Sequence, residues 1–520
     1  MSQPYPRHAV VAALAAVFLG AVDLTVIATV LPSMVIDLGI NTADLDRYIW
    51  VVNAYLLAYV VAIPIMGRVS DLIGRRGAFE LALAVFVAGS VWCALADDLA
   101  TLIAARTIQG AGGGALLPVA MALVGDLFPP GRRLPAIGLV GAFDTLGWVL
   151  GPIWGAVVVH LLSGQGQPWR WIFWLNLPLS IAVAIGIRLS VPGRTRSSRS
   201  LLQALARLDL VGMALLLAGM TSLNLGLSAG GEFGTPTGGG LRAFGGTHNP
   251  LADHISLLIT AGIIILIAFV VWETRARFPA IPLQLLRRRA FSAALIANLL
   301  IGGALIVAVV DIPVVVALLV APERISSISA LLLAPFTMTM AILALGGGIL
   351  ARRIGTRTVM AGGLIAVIAG YGALWLGLHD HHYVGMTPGL LIAGMGFGAI
   401  IAPLTTIAID EAPVRDRGVA AGLTVVSRLL GMTLGMSALT AFGVRRLQEL
   451  TAQSDTIVQR PGESTADFLL RQNAFIQNVA IPLSVQVVRE TFLLAAAIAL
   501  IALLPTWWMT TFRSRERSSS

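Results

Sequence analysis

Five charged residues lie inside long apolar stretches of the sequence: Asp23, Arg106, Asp144, Asp311 and Arg428. An ionisable side chain within a membrane-spanning segment costs about 3 kcal/mol or more unless it is paired or hydrated, so each is a candidate for function. Carboxylates in such places bind and release protons, and arginines pair with carboxylates. The residue types therefore favour a central, proton-coupled site in a membrane protein.

The composition requires a lipid environment for the elements that position these charges. Hydrophobic residues make up 57% of the 520 residues and charged residues only 12%, whereas soluble domains carry about 25% charged residues. A two-layer soluble enzyme is thereby excluded. The single cysteine, Cys93, excludes an internal disulfide and a cysteine-rich metal site.

Apolar windows of about 20 residues, the length that crosses a bilayer as helix, predict an all-α membrane protein with fourteen transmembrane helices. The predicted spans lie near 9–34, 48–67, 78–97, 99–125, 135–162, 171–190, 209–228, 254–273, 291–320, 327–350, 358–378, 386–409, 418–444 and 483–511.

The basic residues, all of them arginine, indicate the orientation of these spans. Most of the 35 fall in the loops that share a side with the N-terminus, and basic loops stay in the cytoplasm. We therefore expect a multi-pass protein of the bacterial cytoplasmic membrane with both termini cytoplasmic. The net charge of +9 is then explained by the arginines of the cytoplasmic loops, and we expect no nucleic-acid partner.

The sequence before residue 190 and the sequence after 290 repeat one pattern. Glycines and arginines recur at fixed offsets, and the pairs are Gly67/Gly348, Gly74/Gly355 and Arg76/Arg357, then Asp126/Asp410, Arg133/Arg417, Gly147/Gly431 and Gly151/Gly435. Chance matching in a glycine-rich chain is the alternative. The pattern predicts two six-helix bundles, 1–190 and 291–520, separated by a linker, 191–290, with two inserted helices. Parallel repeats of this kind place the substrate site at their interface.

Depth along the helices predicts one ion pair, and the repeat predicts a second. Asp23 and Arg106 fall at nearly the same depth, so they can touch. Asp144 and Arg428 occupy equivalent positions of the two repeats, so the pseudo-twofold axis brings them across the central cavity. Separating and rejoining such a pair would change the proton affinity of the carboxylate; the alternative is a static pair that only fixes packing. Asp311 lies near the outer end of its span, where it is either solvated or part of the site.

Five motifs, in order, resemble the major facilitator superfamily. The segment Gly67–Arg76 resembles the loop signature between helices two and three, Arg106–Gly110 the fourth-helix signature, and Gly147–Pro152 the antiporter signature of helix five. Two further segments, Asp23–Pro32 and Trp169–Pro178, resemble the branch of fourteen-helix drug:proton antiporters. Within this branch, Asp311 late in its span, the stretch Val426–Gly431 and the polar segment before the last span make the sequence look most like the mycobacterial triacylglyceride exporters that act with a lipoprotein.

This resemblance implies roles for specific residues. Gly67, Asp71, Gly74, Arg75 and Arg76 would form a cytoplasmic gate, although Leu72 stands where the loop signature has arginine. Close helix contact and a bend in helix five would come from the antiporter motif, whose residues are Gly147, Gly151 and Pro152. The function that the resemblance implies is proton-coupled export of hydrophobic molecules by alternating access. Triacylglyceride is the preferred substrate candidate, and lipophilic drugs are the alternative. A membrane enzyme or scaffold is the remote alternative.

The segment 445–482 alternates charged and apolar residues at helical spacing. We expect an extracytoplasmic helical hairpin around the Pro461–Gly462 turn, suited to a lipoprotein acceptor; a loop lying on the lipid surface is the alternative. No phosphate-binding loop or nucleophile–base set is present, so we expect no cofactor other than the proton gradient and no enzymatic activity. The loop His379–His382 is interpreted as solvated, not as a metal site. The protein is expected to be a monomer that contacts membrane lipids.

Overall fold

The computed structural model describes most of the chain. The described residues are 6–38, 50–128, 130–162, 164, 166–191, 209–229, 254–276, 279, 284–321, 324–378, 383–413, 417–451 and 464–509. Two predicted features, the His379–His382 loop and the Pro461–Gly462 turn, lie outside these residues.

Long helices make up the described chain, as the apolar composition requires. They are α1 Pro6–Asp37, α2 Trp50–Ile73, α3 Arg75–Ala94, α4 Leu99–Leu127, α5 Pro130–Leu161, α6 Arg170–Ser190, α7 Leu210–Ala229, α8 Ile255–Arg275, α9 Arg289–Leu319, α10 Ile325–Ile354, α11 Thr356–Gly377, α12 Thr387–Glu411, α13 Arg417–Thr451, α14 Thr465–Phe475 and α15 Ile481–Ile501.

Helix packing follows the same scheme before and after the inserted pair. In the first half, α1 packs on α5 while α2 and α3 pack on α4; in the second half, α9 packs on α13 while α10 and α11 pack on α12. The turns also match, because Gly74 and Gly355 have φ of 82° and 95°, values that only glycine adopts without strain. These two glycines occupy equivalent positions of the predicted repeat. The domain boundaries at 190 and 290 remain a prediction.

The two halves meet along two seams. At one seam α5 packs directly on α10, and at the other α2 packs on α13. The inserted helices α7 and α8 pack on each other, and α7 also packs against α2 and α13. The central interface, where a substrate site is expected, lies between these seams.

The predicted count of fourteen spans is not confirmed. Among the described residues, twelve helices are long and apolar enough to cross a membrane, or thirteen when the two parts of α5 are taken as one span. Those parts, Leu139–Trp148 and Leu150–Leu161, meet at an angle of 43°. Helix α2 contributes a shorter apolar stretch, Trp50–Ile63, within a helix of 24 residues.

The two arms of the predicted hairpin are helical where they are described. Helix α13 has 35 residues, or about 52 Å of helix, which exceeds the about 30 Å of hydrocarbon in a bilayer. The second arm runs from α14 through a π-turn, Ile476–Ala480, into α15. Arg446 on α13 joins the two arms through Glu490 on α15, with an N–O distance of 2.8 Å. Without its turn, the hairpin as a whole stays a prediction.

Candidate functional site

Asp23 lies at the centre of a polar network inside the first half. Its Oδ2 accepts from Arg106 Nη1 at 2.8 Å, and its Oδ1 accepts from Gln109 Nε2 at 2.9 Å and from Asn176 Nδ2 at 2.6 Å. Gln109 and Asn176 also donate to Ser90 Oγ. The predicted contact between Asp23 and Arg106 is present, and four helices, α1, α3, α4 and α6, supply the network.

Arg106 is completely buried, and its charge is compensated on several sides. Beyond Asp23, its guanidinium donates to the carbonyl of Val51 at 3.4 Å and lies 4.0 Å from the centroid of the Tyr55 ring. Its Nη2 has no hydrogen-bond partner in the described chain. Aromatic faces attract cations, the more so when the cation is desolvated.

Asp144 and Arg428 form an ion pair between the two halves, as the repeat predicted. Arg428 Nη2 on α13 lies 3.1 Å from Asp144 Oδ2 on α5, and both side chains are buried. The Arg428 guanidinium also lies 5.4 Å from the centroid of the Trp148 ring. Within the described residues, Asp144 Oδ1 and Arg428 Nε have no partner. One hydrogen bond thus joins Asp144 to Arg428, and each charge is only partly compensated.

Two tyrosines connect this ion pair with the Asp23 network. Tyr55, which contacts Arg106, packs on Tyr59 with ring centroids 5.9 Å apart. The Tyr59 ring lies within electrostatic range of both Asp144 and Arg428. One turn of α2 therefore lies beside both charged sites.

Asp311 is buried, so of the two alternatives left open for it, the solvated one is wrong. Its depth along α9 placed it near the outer surface, but its side chain is only 8% exposed and contacts α15. Thr491 Oγ1 lies 2.5 Å from Asp311 Oδ2 and 2.6 Å from the carbonyl of Val488. A hydroxyl has one proton to donate. A protonated Asp311 that donates to Thr491, while Thr491 donates to Val488, satisfies every group. No described residue forms an ion pair with Asp311.

Around Gly74, the loop of the predicted gate is tied to the end of α4. Arg75 Nε donates to Asp126 Oδ2 at 2.8 Å, and Arg75 Nη1 donates to Ser70 Oγ at 2.7 Å. Arg76 pairs with Glu80 on its own helix at 3.1 Å. These contacts all lie within the first half.

The other two predicted gate residues, Gly67 and Asp71, lie on α2, and their side-chain environment is outside the described part of the chain. In the second half the loop contact differs, because Arg357 donates to the carbonyl of Trp507 and lies 5.0 Å from its ring. The two gate loops therefore share their backbone turn but not their ion pairs.

The antiporter motif allows α1 and α5 to touch. A Cβ at Gly147 would lie 2.7 Å from a backbone oxygen of α1, and one at Gly151 would overlap Thr25 Oγ1. Pro152 has no N–H to donate to the carbonyl of Trp148, four residues earlier, and α5 bends here. Thr25 of α1 donates to that carbonyl instead, at 2.9 Å. These residues place Asp144, one turn before Trp148, at the interface.

Sequence reasoning did not predict the neutral partners Ser90, Gln109 and Asn176 as site residues, nor the two tyrosines. One signal was available: Gln109 follows Arg106 by three residues, so both share a helix face. Ser90 and Asn176 are single polar residues on separate helices, which no spacing rule brings together. Tyr55 and Tyr59 are four residues apart and share a face of α2, but their spacing does not show that this face contacts the charged residues.

The family comparison covers most of the chain, since the Major Facilitator Superfamily matches residues 13–436. A triacylglyceride transporter of Mycolicibacterium hassiacum is 35% identical over 471 residues, which cover 88% of this chain and 84% of that protein. A triacylglyceride transporter of Mycobacterium tuberculosis is 35% identical over a match that covers 86% of this chain and 84% of that protein. A probable triacylglyceride transporter of Mycobacterium leprae is 32% identical over a match that covers 96% of this chain and 95% of that protein.

Solved structures show the same fold at low sequence identity. A bacterial homologue of the human lysosomal transporter Spinster, in an inward-facing conformation, has a TM-score of 0.64 at 16% identity, with 98% of each chain covered. The xylose transporter of E. coli, partially occluded and inward open, has a TM-score of 0.57 at 12% identity and covers 97% of this chain and 99% of its own.

Proposed function

The chain belongs to the Major Facilitator Superfamily, and from that premise we propose that it exports neutral lipid, such as triacylglyceride, in exchange for protons by alternating access. It is a multi-pass membrane transporter and not an enzyme. Relatives that cover most of the chain are named triacylglyceride transporters, which supports this substrate class. The bacterial relatives imply the inner membrane, and we propose that both termini are cytoplasmic.

The observation that carries the proposal is the Asp144–Arg428 pair. It is the buried ion pair that the described residues place between the halves, so it must separate whenever α5 and α13 move apart. A proton on Asp144 removes the attraction, and Asp144 Oδ1 has no other partner in the described chain. Protonation therefore favours separation, and loss of the proton favours closure.

Charge balance at the interface favours a neutral substrate. The Asp144 and Arg428 charges cancel, whereas a site for cationic drugs needs an uncompensated acid. Asp23 already has donors on both oxygens, and Arg106 beside it is fully buried. Asp311 can carry a proton but faces α15 through Thr491. Moving one charge through 100 mV supplies about 2.3 kcal/mol, so one proton site suffices for coupling.

Release on the outer side would use the helical arms of 445–482, with an extracytoplasmic lipoprotein as the acceptor. The arms are held together by Arg446 and Glu490. We propose that one copy of the chain suffices for transport, because both members of the ion pair come from the same chain.

The test is lipid transfer in proteoliposomes. Purified protein is reconstituted with fluorescent triolein, a pH gradient is imposed, and triolein reaching an added acceptor such as albumin is measured. We expect transfer that depends on the gradient, stops with a protonophore and is lost in Asp144→Asn. Gradient-independent transfer would reject proton coupling.

The same vesicles distinguish the drug alternative. Ethidium uptake driven by the gradient, with no triolein transfer, would replace the lipid proposal by multidrug antiport. Asp23→Asn is measured in both assays, because a drug:proton antiporter that uses Asp23 would lose ethidium uptake.

A further inference from the structure

The gate loop of the second half carries an arginine, Arg357, that has no carboxylate partner in the described chain. Its counterpart Arg76 pairs with Glu80 one helical turn later, at 3.1 Å, but the repeat places Ala361 at the position of Glu80. Arg357 instead donates to the carbonyl of Trp507, and its guanidinium lies 5.0 Å from the centroid of that ring. Its Nε has no hydrogen-bond partner among the described residues. The guanidinium therefore keeps both an uncompensated charge and unused capacity to donate.

Two adjacent tryptophans, Trp507 and Trp508, lie at the end of the last span. They follow a single helical turn, Leu503–Thr506, which packs on α9 and α11. Their amides donate to the carbonyls of Leu504 at 3.2 Å and Pro505 at 3.1 Å, so their backbone is held in place. The two side chains are nevertheless 77% and 63% exposed. Exposed tryptophan at the end of a membrane span typically lies at the level of the lipid headgroups.

Further basic and apolar side chains lie next to these residues along the chain. Arg353 precedes Arg357 across the Gly355 turn and is exposed, and the apolar side chains of Ile354 and Leu504 are exposed as well. Beyond the described residues the sequence continues with Arg513, Arg515 and Arg517.

In the proposed orientation this surface faces the cytoplasmic leaflet. Anionic lipids give that leaflet a negative surface potential, and basic pockets between spans on this side bind their headgroups. A free phosphate ion would use only the arginines, whereas a phospholipid also covers the tryptophan rings and the apolar side chains. The combination of charge and exposed apolar surface therefore favours a lipid.

We propose that Arg353 and Arg357, together with Trp507 and Trp508, bind the phosphate headgroup of an anionic phospholipid from the cytoplasmic leaflet. The phosphate oxygens accept hydrogen bonds from the two guanidinium groups, and the indole rings lie against the glycerol region. The bound lipid joins the Gly355 turn to the end of the last span. It thereby neutralises the second gate loop, as Asp126 and Glu80 neutralise the first.

The test measures lipid binding directly. Purified full-length protein in detergent is titrated with dioleoylphosphatidylglycerol, and bound lipid is counted by native mass spectrometry. The variants are Arg353→Gln, Arg357→Gln and the double variant, with size-exclusion chromatography as the check on folding. The matched control is Arg188→Gln, which removes the same charge on the same side of the membrane; Arg188 is 71% exposed and already lies 3.9 Å from Glu80. Dioleoylphosphatidylcholine and inorganic phosphate are the comparison ligands.

We expect the double variant to raise the apparent Kd for phosphatidylglycerol about thirtyfold, equivalent to about 2 kcal/mol, because two arginines no longer attract the headgroup. Arg353→Gln changes an exposed side chain and should alone raise this Kd about fivefold, or about 1 kcal/mol, so the test stands even where Arg357→Gln does not fold. Arg188→Gln should bind phosphatidylglycerol like the wild type, and the wild type should bind phosphatidylcholine more weakly.

Three results would overturn the lipid site. The first is a wild-type Kd in folded Arg353→Gln and in the double variant. The second is an equal loss of binding in Arg188→Gln, which would show attraction to the surface charge as a whole. The third is displacement of phosphatidylglycerol by inorganic phosphate at equal concentration, which would show an ion site. None of these measurements involves transport, so each leaves the proposed function intact.

Discussion

Neutralising either member of the Asp144–Arg428 pair should damage both stability and transport. At 3.1 Å and an effective dielectric constant of about 20, opposite unit charges attract by about 5 kcal/mol. Removing one partner leaves the other charge buried and uncompensated, at a cost of about 3–5 kcal/mol. We expect Asp144→Asn and Arg428→Gln each to lower pH-driven triolein transfer about a hundredfold, which corresponds to about 3 kcal/mol.

The assay is a double-mutant cycle with two measurements. Thermal unfolding is followed with a thiol-reactive dye, because the one cysteine, Cys93, is fully buried and labels only on unfolding. Triolein transfer is measured on the same preparations. The double variant Asp144→Asn/Arg428→Gln should be no less stable than the worse single variant, because it leaves no charge unpaired. The swap Asp144→Arg/Arg428→Asp should retain more transfer than either single variant.

Additive effects in the double variant would show that the two side chains are not coupled. A swap as damaging as the single changes would also contradict the pairing. The matched control is Arg445→Gln, which removes an exposed ion pair with Glu449 at 3.4 Å. Exposed pairs contribute about 0–1 kcal/mol, so this control should leave the unfolding midpoint nearly unchanged.

Three further outcomes are expected from the local geometry. Gly151→Ala should destabilise the protein by about 1–3 kcal/mol through overpacking against α1, whereas Gly141→Ala should be neutral or stabilising; unfolding midpoints compare them. Thr491→Val should cost about 1–3 kcal/mol by leaving Asp311 without its partner, and adding Asp311→Leu should restore most of that stability in the same assay. The pKa of Asp98, the N-cap of α4, is lowered by hydrogen bonds from the Thr101 hydroxyl and amide. Its stabilisation is therefore present above its unfolded pKa and lost as pH falls below about 4, and Asp98→Ala should show a smaller loss of midpoint in acid than wild type.

The sequence predicted the contacts that depend on depth along a helix. A constant rise per residue places Asp23 level with Arg106, and the repeat places Asp144 opposite Arg428, so both pairs could be predicted and both are present. Asp311 shows where this reasoning fails. The direction in which its side chain points depends on how α9 packs on α15, which the spacing of residues does not define.

Neutral polar residues were the other group that the sequence left unassigned. Asn176 and Gln109 satisfy Asp23, and Asn53 and Asn224 meet through Ser437. A charged residue in an apolar helix is conspicuous because burying its charge in the membrane costs several kcal/mol. Burying a single asparagine costs less free energy, and its partner lies on a distant helix. The twelve to thirteen spans found among the described residues do not confirm the predicted fourteen.

The degree of charge compensation separates the three buried carboxylates. Asp23 accepts from three donors, so a proton there would displace existing hydrogen bonds. Asp144 accepts from one donor and keeps a free oxygen in the described chain, so it can gain a proton without rearrangement and lose its arginine as a result. Asp311 lacks a described cation and is satisfied when protonated. Only Asp144 has its counter-charge on the other half, so only its protonation changes the attraction between the halves. For that reason we propose that Asp144 and Arg428 carry the coupling step. Asp23 would fix α1 against Arg106 and, through Tyr55, the adjacent turn of α2.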